Sequence, residues 1–178
     1  ALPSQASPSM WKCCRTRTLP APDQRADEAE IANGYLPYNK EAEALQSRYA
    51  ETPFADRHAS FRSFYPAAPA HVLDVGAGIG VDSLGFAALG HRVVAAEPAD
   101  GMRAIAVELR DHANITWVKD HLPDLAKVRA MGQAFDFVLL SASFMHLPPA
   151  AQSAGFATLA SLTRQGGHAV SYTHLRAH

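Results

Sequence analysis

Three glycines at alternate positions, Gly76, Gly78 and Gly80, stand between the apolar run "VLDV" and a stretch of helical pattern. Glycine there lets the backbone turn tightly and approach a ligand with no Cβ in the way, while the first N–H groups of the next helix face that ligand. About 20 residues further on, Glu97 closes a second apolar run, where a carboxylate accepts hydrogen bonds from both hydroxyls of a ribose. Strand, glycine turn, helix, strand and acid, in that order, form a device for holding a nucleotide. The dinucleotide fingerprint asks for another glycine at position 81, and that position holds Val81.

A second group of candidates lies in "FDFVLLSASFMHLPP", where an apolar run opens into a loop carrying Ser141, Ser143 and His146. In open α/β sheets ligands bind beyond the carboxyl ends of the strands, so this loop faces the same crevice as the glycine turn. His146 has the near-neutral pKa that suits a general base, and His58 is a further histidine candidate. No pair of histidines stands at H-x-x-x-H spacing with a glutamate between, and Cys13 and Cys14 are adjacent with no third cysteine, so no metal site is expected.

These residues need elements to position them. "IANGYLPYNKEAEALQSRYAE" reads as helices broken at Gly34 and Pro37, with Tyr38, Ala42, Leu45 and Tyr49 on one face. "DRHASFRSFYP" reads as a second short helix that packs through Phe61, Phe64 and Tyr65 and stops at Pro66. From there strands are expected at 72–75, 92–96, 115–118, within "FDFVLLSA" and within "GGHAVSYT". Helices at 81–89, 100–112, "DLAKVRAM" and 149–163 alternate with them. Near-continuously apolar strands between helices indicate a mostly parallel sheet covered on both faces, an αβα sandwich of Rossmann-like type.

The stretch "VLDVGAGIGVDSLGFAALGHRVVAAEPADGM" resembles the first motif and the following acidic strand of class I S-adenosylmethionine-dependent methyltransferases. Further pieces agree in order: "YNKEAEALQSRYAE" with the N-terminal cap helix, "ITWVKDHLPDL" with the adenine-binding strand, "FDFVLLSASFMHLPP" with the strand facing the methyl donor, and "LTRQGGHAV" with the turn into the fifth strand. In that last turn Gln165 stands where the family usually has proline. The resemblance implies a cofactor, S-adenosylmethionine, and a product, S-adenosylhomocysteine. It implies that the loop of Gly76, Ala77, Gly78 and Gly80 admits the methionine part, with Asp74 attracting its ammonium group. Glu97 and Pro98 would meet the ribose, Met102 would cover the adenine, and Asp120, His121 and Leu122 would frame it. Tyr38 and Ser141 would touch the cofactor from the cap and the donor-facing loop. The implied reaction is in-line displacement of the methyl group to an acceptor, with His146 as the candidate base.

Composition bounds the remaining choices. A chain of 178 residues with 48% hydrophobic and 19% charged residues suits one globular domain. A net charge of −1 and no clustered basic face argue against a nucleic-acid partner, and no run reaches the roughly 18 apolar residues of a membrane span. A small-molecule acceptor in a cytoplasmic setting is the expectation. The organisation expected is a flexible tail at 1–24, a helical cap at 25–66, a cofactor-binding core at 67–171 and a tail foreign to the family at 172–178. A complete sheet of this family ends in a strand hairpin after the fifth strand. That hairpin is not in the sequence, so the chain reads as truncated there, with the fifth strand as an unprotected edge. Two rival functions stay open at this point: an NAD(P)-linked oxidoreductase, which shares the turn and Glu97, and a non-catalytic S-adenosylmethionine-binding fragment.

Overall fold

The structure is a computed structural model, and it describes residues 9–12 (backbone), 27–40, 42–43 and 53–172. Ahead of the core lie the short helices α1 (Glu28–Asn33) and α2 (Phe54–Arg57), with residues 38–40 and 42–43 also helical between them. Parallel strands β2 (His71–Val75), β3 (Arg92–Ala96), β4 (Ile115–Val118), β5 (Phe135–Ser141) and β6 (Thr163–Tyr172) then alternate with helices. The helices are α3 (Val81–Ala88), α4 (Asp100–Arg110), α5 (Ala126–Ala130) and α6 (Pro149–Leu162). With β1 (Ser9–Lys12), the strands form one six-stranded sheet in the order β1-β6-β5-β2-β3-β4.

Successive strand residues face opposite sides, and both sides are dry. Leu73, Val94, Val138 and Leu140 join α5 and α6 through Val128, Leu159 and Leu162. Val72, Val93, Phe137 and Leu139 face the other way, onto Phe61 and onto Phe86 and Ala87 of α3. Strands buried on both faces are apolar at nearly every position, which is why the sequence shows them as apolar runs, with Asp74 the buried exception in β2. A smaller cluster of Ala42, Ile79, Ala99 and Met102, with Tyr38 against it, joins the cap to the glycine turn.

Three expectations are corrected. Residues 56–65 do not form one helix: α2 ends at Arg57, a turn follows, and a 3-10 turn spans Arg62–Phe64. His58 is drawn wholly inside, beside Asp82 and Tyr65, and that tertiary pull overrides the helical spacing of Phe61, Phe64 and Tyr65. Ser9–Lys12 lies within the expected tail yet runs antiparallel to β6, from Ser9 opposite Ser171 to Lys12 opposite His168. The edge of β6 is therefore paired, since its free N–H and C=O groups are a template for any nearby extended chain. Finally, α4 stops at Arg110 rather than 112, with Asp111 in extended backbone. The rest of residues 1–24, Leu45, Tyr49 and residues 173–178 lie outside the described residues.

Helix α1 is started by Asp27, whose side chain accepts the Glu30 N–H at 2.7 Å. Asp27→Ala is expected to remove about 1 kcal/mol of local stability. Faster amide exchange confined to α1, with the global melt shifted by no more than about 2–4 °C, is the measurement that checks it.

Candidate cofactor site

Strand β2 pairs in parallel with β3 on one side and with β5 on the other. The connections after β2 thus turn in opposite senses, and the crevice between the ends of β2 and β5 is the topological switch point where open α/β sheets bind ligands. The glycine turn leaves β2 at this point and the Ser141 loop leaves β5.

The turn is fixed by its glycines and by one carboxylate. Gly76 has φ +71°, and a Cβ there would lie 2.5 Å from the Cβ of Ser143, so both conformation and space demand glycine. Gly80, with φ +81°, faces the Trp117 ring, where a Cβ would come within 2.7 Å. The N–H groups of Gly76 and Ala77 donate to the Ala96 carbonyl at 2.8 and 3.1 Å, tying the loop to the end of β3. Glu97 then accepts the Gly78 N–H on Oε2 and the Ala99 N–H on Oε1, both at 2.7 Å. Burial pushes the Glu97 carboxyl up, while these two N–H groups pull it back. Each carboxylate oxygen keeps a further lone pair, so Glu97 can hold the loop and still receive a ribose hydroxyl.

Further expected residues follow the carboxyl ends of β3 and β4. Pro98 is half-buried behind Glu97, and Met102 is buried against Ile79 and Ala99 with its Cε 3.5 Å from where a Gly78 Cβ would sit. Asp120, beyond β4, is engaged with backbone. Its Oδ1 takes the His121 N–H at 3.0 Å and its Oδ2 takes those of Lys127 and Val128 at 2.8 and 2.9 Å, capping α5. The His121 Nδ1–H donates to the Leu122 carbonyl at 2.8 Å, and its ring lies 5.4 Å from that of Tyr35. Leu122 itself is buried in the core.

On the other side of the crevice the cap meets the β5 loop. Tyr38 Oη and His146 Nε2 share a 2.9 Å hydrogen bond, with the rings edge-on. Burial holds His146 below the ordinary histidine pKa, so it is neutral at physiological pH. Ser143 donates to the Val75 carbonyl at 2.6 Å, and Ser141 donates to the Tyr172 hydroxyl at 2.8 Å.

Asp74 is 1% exposed; it takes the Ser83 hydroxyl on Oδ2 at 2.6 Å, and its Oδ1 has no hydrogen-bond partner. Sequence reasoning missed what surrounds it. Asp82, in the first turn of α3, is buried and forms an ion pair with Arg57 at 3.0 Å. An acid in a first helical turn reads as a dipole partner, and nothing in the spacing points back to Arg57. Asn39 was missed too; its side chain accepts the Gly101 N–H at 2.9 Å and pins the cap to α4. Among the described residues no group of His, Cys, Asp and Glu is placed to hold a metal ion, and no helix is long and apolar enough to cross a membrane.

A glycine turn, a strand-end acid and a switch-point crevice define a domain of Rossmann-like fold. A family profile described as a methyltransferase domain matches residues 72–167, more than half of the 178, and the chain belongs to that family. Solved structures share the fold. The glycopeptide N-methyltransferase MtfA bound to S-adenosylmethionine superposes with a TM-score of 0.56 at 20% identity, over 67% of this chain and 53% of that one. DhpI in complex with SAH gives 0.60 at 20% identity, over 83% and 71%. The 1,6-didemethyltoxoflavin-N1-methyltransferase of Burkholderia thailandensis gives 0.57 at 22% identity, over 90% and 66%. At these identities the likeness is one of fold, and the chain spans about half the length of MtfA, 53%. No protein among the curated sequences matches it.

Proposed function

We propose that this chain binds S-adenosylmethionine and transfers its methyl group to a small molecule bearing an N–H or O–H nucleophile. The observation that carries this is the family match across a glycine loop gripped by Glu97, beside a buried Asp74 with one oxygen uncommitted. That set fits the cofactor: open backbone for its methionine part, an acid for the ribose and a carboxylate for an ammonium group. The similar structures were solved with such ligands, SAM in one case and SAH in others. The family match also favours this reading over hydride transfer with NAD(P).

When bound, the cofactor supplies an already activated methyl group, so the protein's task is to orient and to exclude water. The Gly76–Gly80 loop and Glu97 set the position, and Asp120, His121 and Leu122 would frame the base. Tyr38 and the cap close the crevice against the β5 loop through His146. His146, neutral and half-buried, would take the acceptor's proton.

The test is a thermal melt of the chain alone, with S-adenosylhomocysteine, and with NAD. At a hundredfold excess over Kd a ligand of the folded state adds about 2.7 kcal/mol. For this size that is a rise of about 5–10 °C, expected with S-adenosylhomocysteine only. A rise with NAD alone would overturn the assignment. Labelled methyl transfer to a panel of small amines and hydroxy compounds then separates an enzyme from a binder.

A further inference from the structure

A buried polar cluster lies between the cap and the glycine turn. At the end of α2 the Arg57 side chain is only 10% exposed. One of its nitrogens, Nη2, stands 3.0 Å from Asp82 Oδ2 and 3.4 Å from Ser141 Oγ. His58, fully buried, places Nε2 3.2 Å from the other oxygen of Asp82 and shares a hydrogen bond with Tyr65 through Nδ1. Asp74 stands in the same cluster, and the groups bearing on its charge are Asp82, Ser83, Arg57 and Glu97.

The two acids are treated unequally. Burial alone would raise Asp82, but His58 and the Arg57 guanidinium outweigh it and hold that carboxyl below its usual range. Asp74 receives only a hydroxyl: burial and the nearby Asp82 push it up to about 7, against the pull of Ser83 and Arg57. Two buried carboxylates repel, and each is ionised only as far as cations nearby allow. A buried ion pair is also a poor device for stability, since apolar replacements often do as well. Its consequence lies in the charge it leaves behind.

We propose that Arg57 is a positioning residue for the cofactor: by clamping and neutralising Asp82 from the cap, it leaves Asp74 as the one uncompensated carboxylate of the cluster, available to the ligand's ammonium group. This rests on the cofactor assignment above. Arg57 touches no reacting atom in this scheme. It also joins the first turn of α3 to the end of β5 through Ser141, so the cap is coupled to both walls of the crevice.

The test is calorimetric titration of the 178-residue chain with S-adenosylhomocysteine between about pH 6 and pH 8.5. Without Arg57, Asp74 ionises at higher pH. Arg57→Met is therefore expected to weaken binding about fivefold near pH 7, since a rise of about one unit from a pKa of about 7 cuts the ionised fraction from about half to about a tenth, and to recover toward wild type as pH rises. Arg57→Lys, which keeps the charge, and Arg57→Met with Asp82→Asn, which removes both charges, are each expected within about threefold of wild type. Asp74→Asn is expected to bind weakly at every pH. Equal affinity in Arg57→Met and wild type, or a loss of the same factor at every pH, would overturn the clamp. The double variant keeps the test decisive, because a purely structural role predicts that it binds no better than Arg57→Met. Wild type that binds no S-adenosylhomocysteine at all would sink the cofactor assignment itself, and the clamp with it.

Discussion

Glu97→Ala is expected to abolish S-adenosylhomocysteine binding and to cost the free protein stability as well. The carboxylate has one task in the structure and a second in the proposed function. It accepts the N–H groups of Gly78 and Ala99, at 2.7 Å each, and so fixes the glycine turn against the start of α4. Both its oxygens also remain open to ribose hydroxyls. Removing it leaves the Ala99 N–H without its acceptor at a position with no solvent exposure, and the Gly78 N–H half-exposed. Stranded donors of this kind cost about 1–3 kcal/mol each, and water can relieve the outer one, so about 2–4 kcal/mol is expected. At about 2–4 °C per kcal/mol that lowers Tm by roughly 5–15 °C. Glu97→Gln separates the two tasks. Its amide keeps one acceptor oxygen and turns an NH2 toward the other donor, so about half the stability loss is expected, while the loss of the charge proposed to meet the ribose remains. Melting curves with and without S-adenosylhomocysteine read both effects. A Glu97→Ala protein still stabilised by the ligand as wild type is would mean the ribose lies elsewhere.

The core of the fold was legible because its causes are local. Strands β2, β3 and β5 are dry on both faces, so no polar residue interrupts Val72-Leu73, Val93-Val94 or Phe137 to Leu140. Gly76, Gly78 and Gly80 announce the turn because each takes a positive φ, which few other residues adopt. What was not legible depends on partners far along the chain. Arg57, at the end of α2, and His58, just past it, meet Asp82, 24 to 25 positions away, and a buried ion pair has no periodicity to betray it. The strand Ser9–Lys12 is too short to show alternation, and its reason for being a strand is the free edge of β6. Asp120 was legible as a strand-end acid, but its hold on the Lys127 and Val128 N–H groups follows from where α5 begins. Local physics set the scaffold, and the long-range polar pairs tune the crevice.

Replacing His146 is expected to be the most damaging single change to turnover that leaves cofactor binding intact. The residue sits in the 3-10 turn Phe144–His146, just past the end of β5 and opposite the cap. An N–H or O–H acceptor must lose its proton around the time of methyl transfer, and a positioned base is typically worth 10²–10⁴ in rate. His146→Gln is therefore expected to lower kcat by roughly that factor, with the affinity for S-adenosylhomocysteine unchanged within about twofold. The pH profile gives a second reading. Because burial depresses the His146 pKa, the neutral, proton-accepting ring dominates at pH 7. Activity should stay level down through the ordinary histidine value and fall only below it, as the ring protonates and ceases to be a base. In His146→Gln that acid limb should vanish. Tyr38→Phe removes the 2.9 Å bond that orients the ring while leaving the base in place, so a smaller fall in kcat is expected, on the order of tenfold, with the acid limb retained. An unchanged acid limb in His146→Gln would assign the base elsewhere. If kcat also stayed at the wild-type value, the acceptor's proton would leave without the help of His146, and the cap–loop contact of Tyr38 and His146 would serve closure alone.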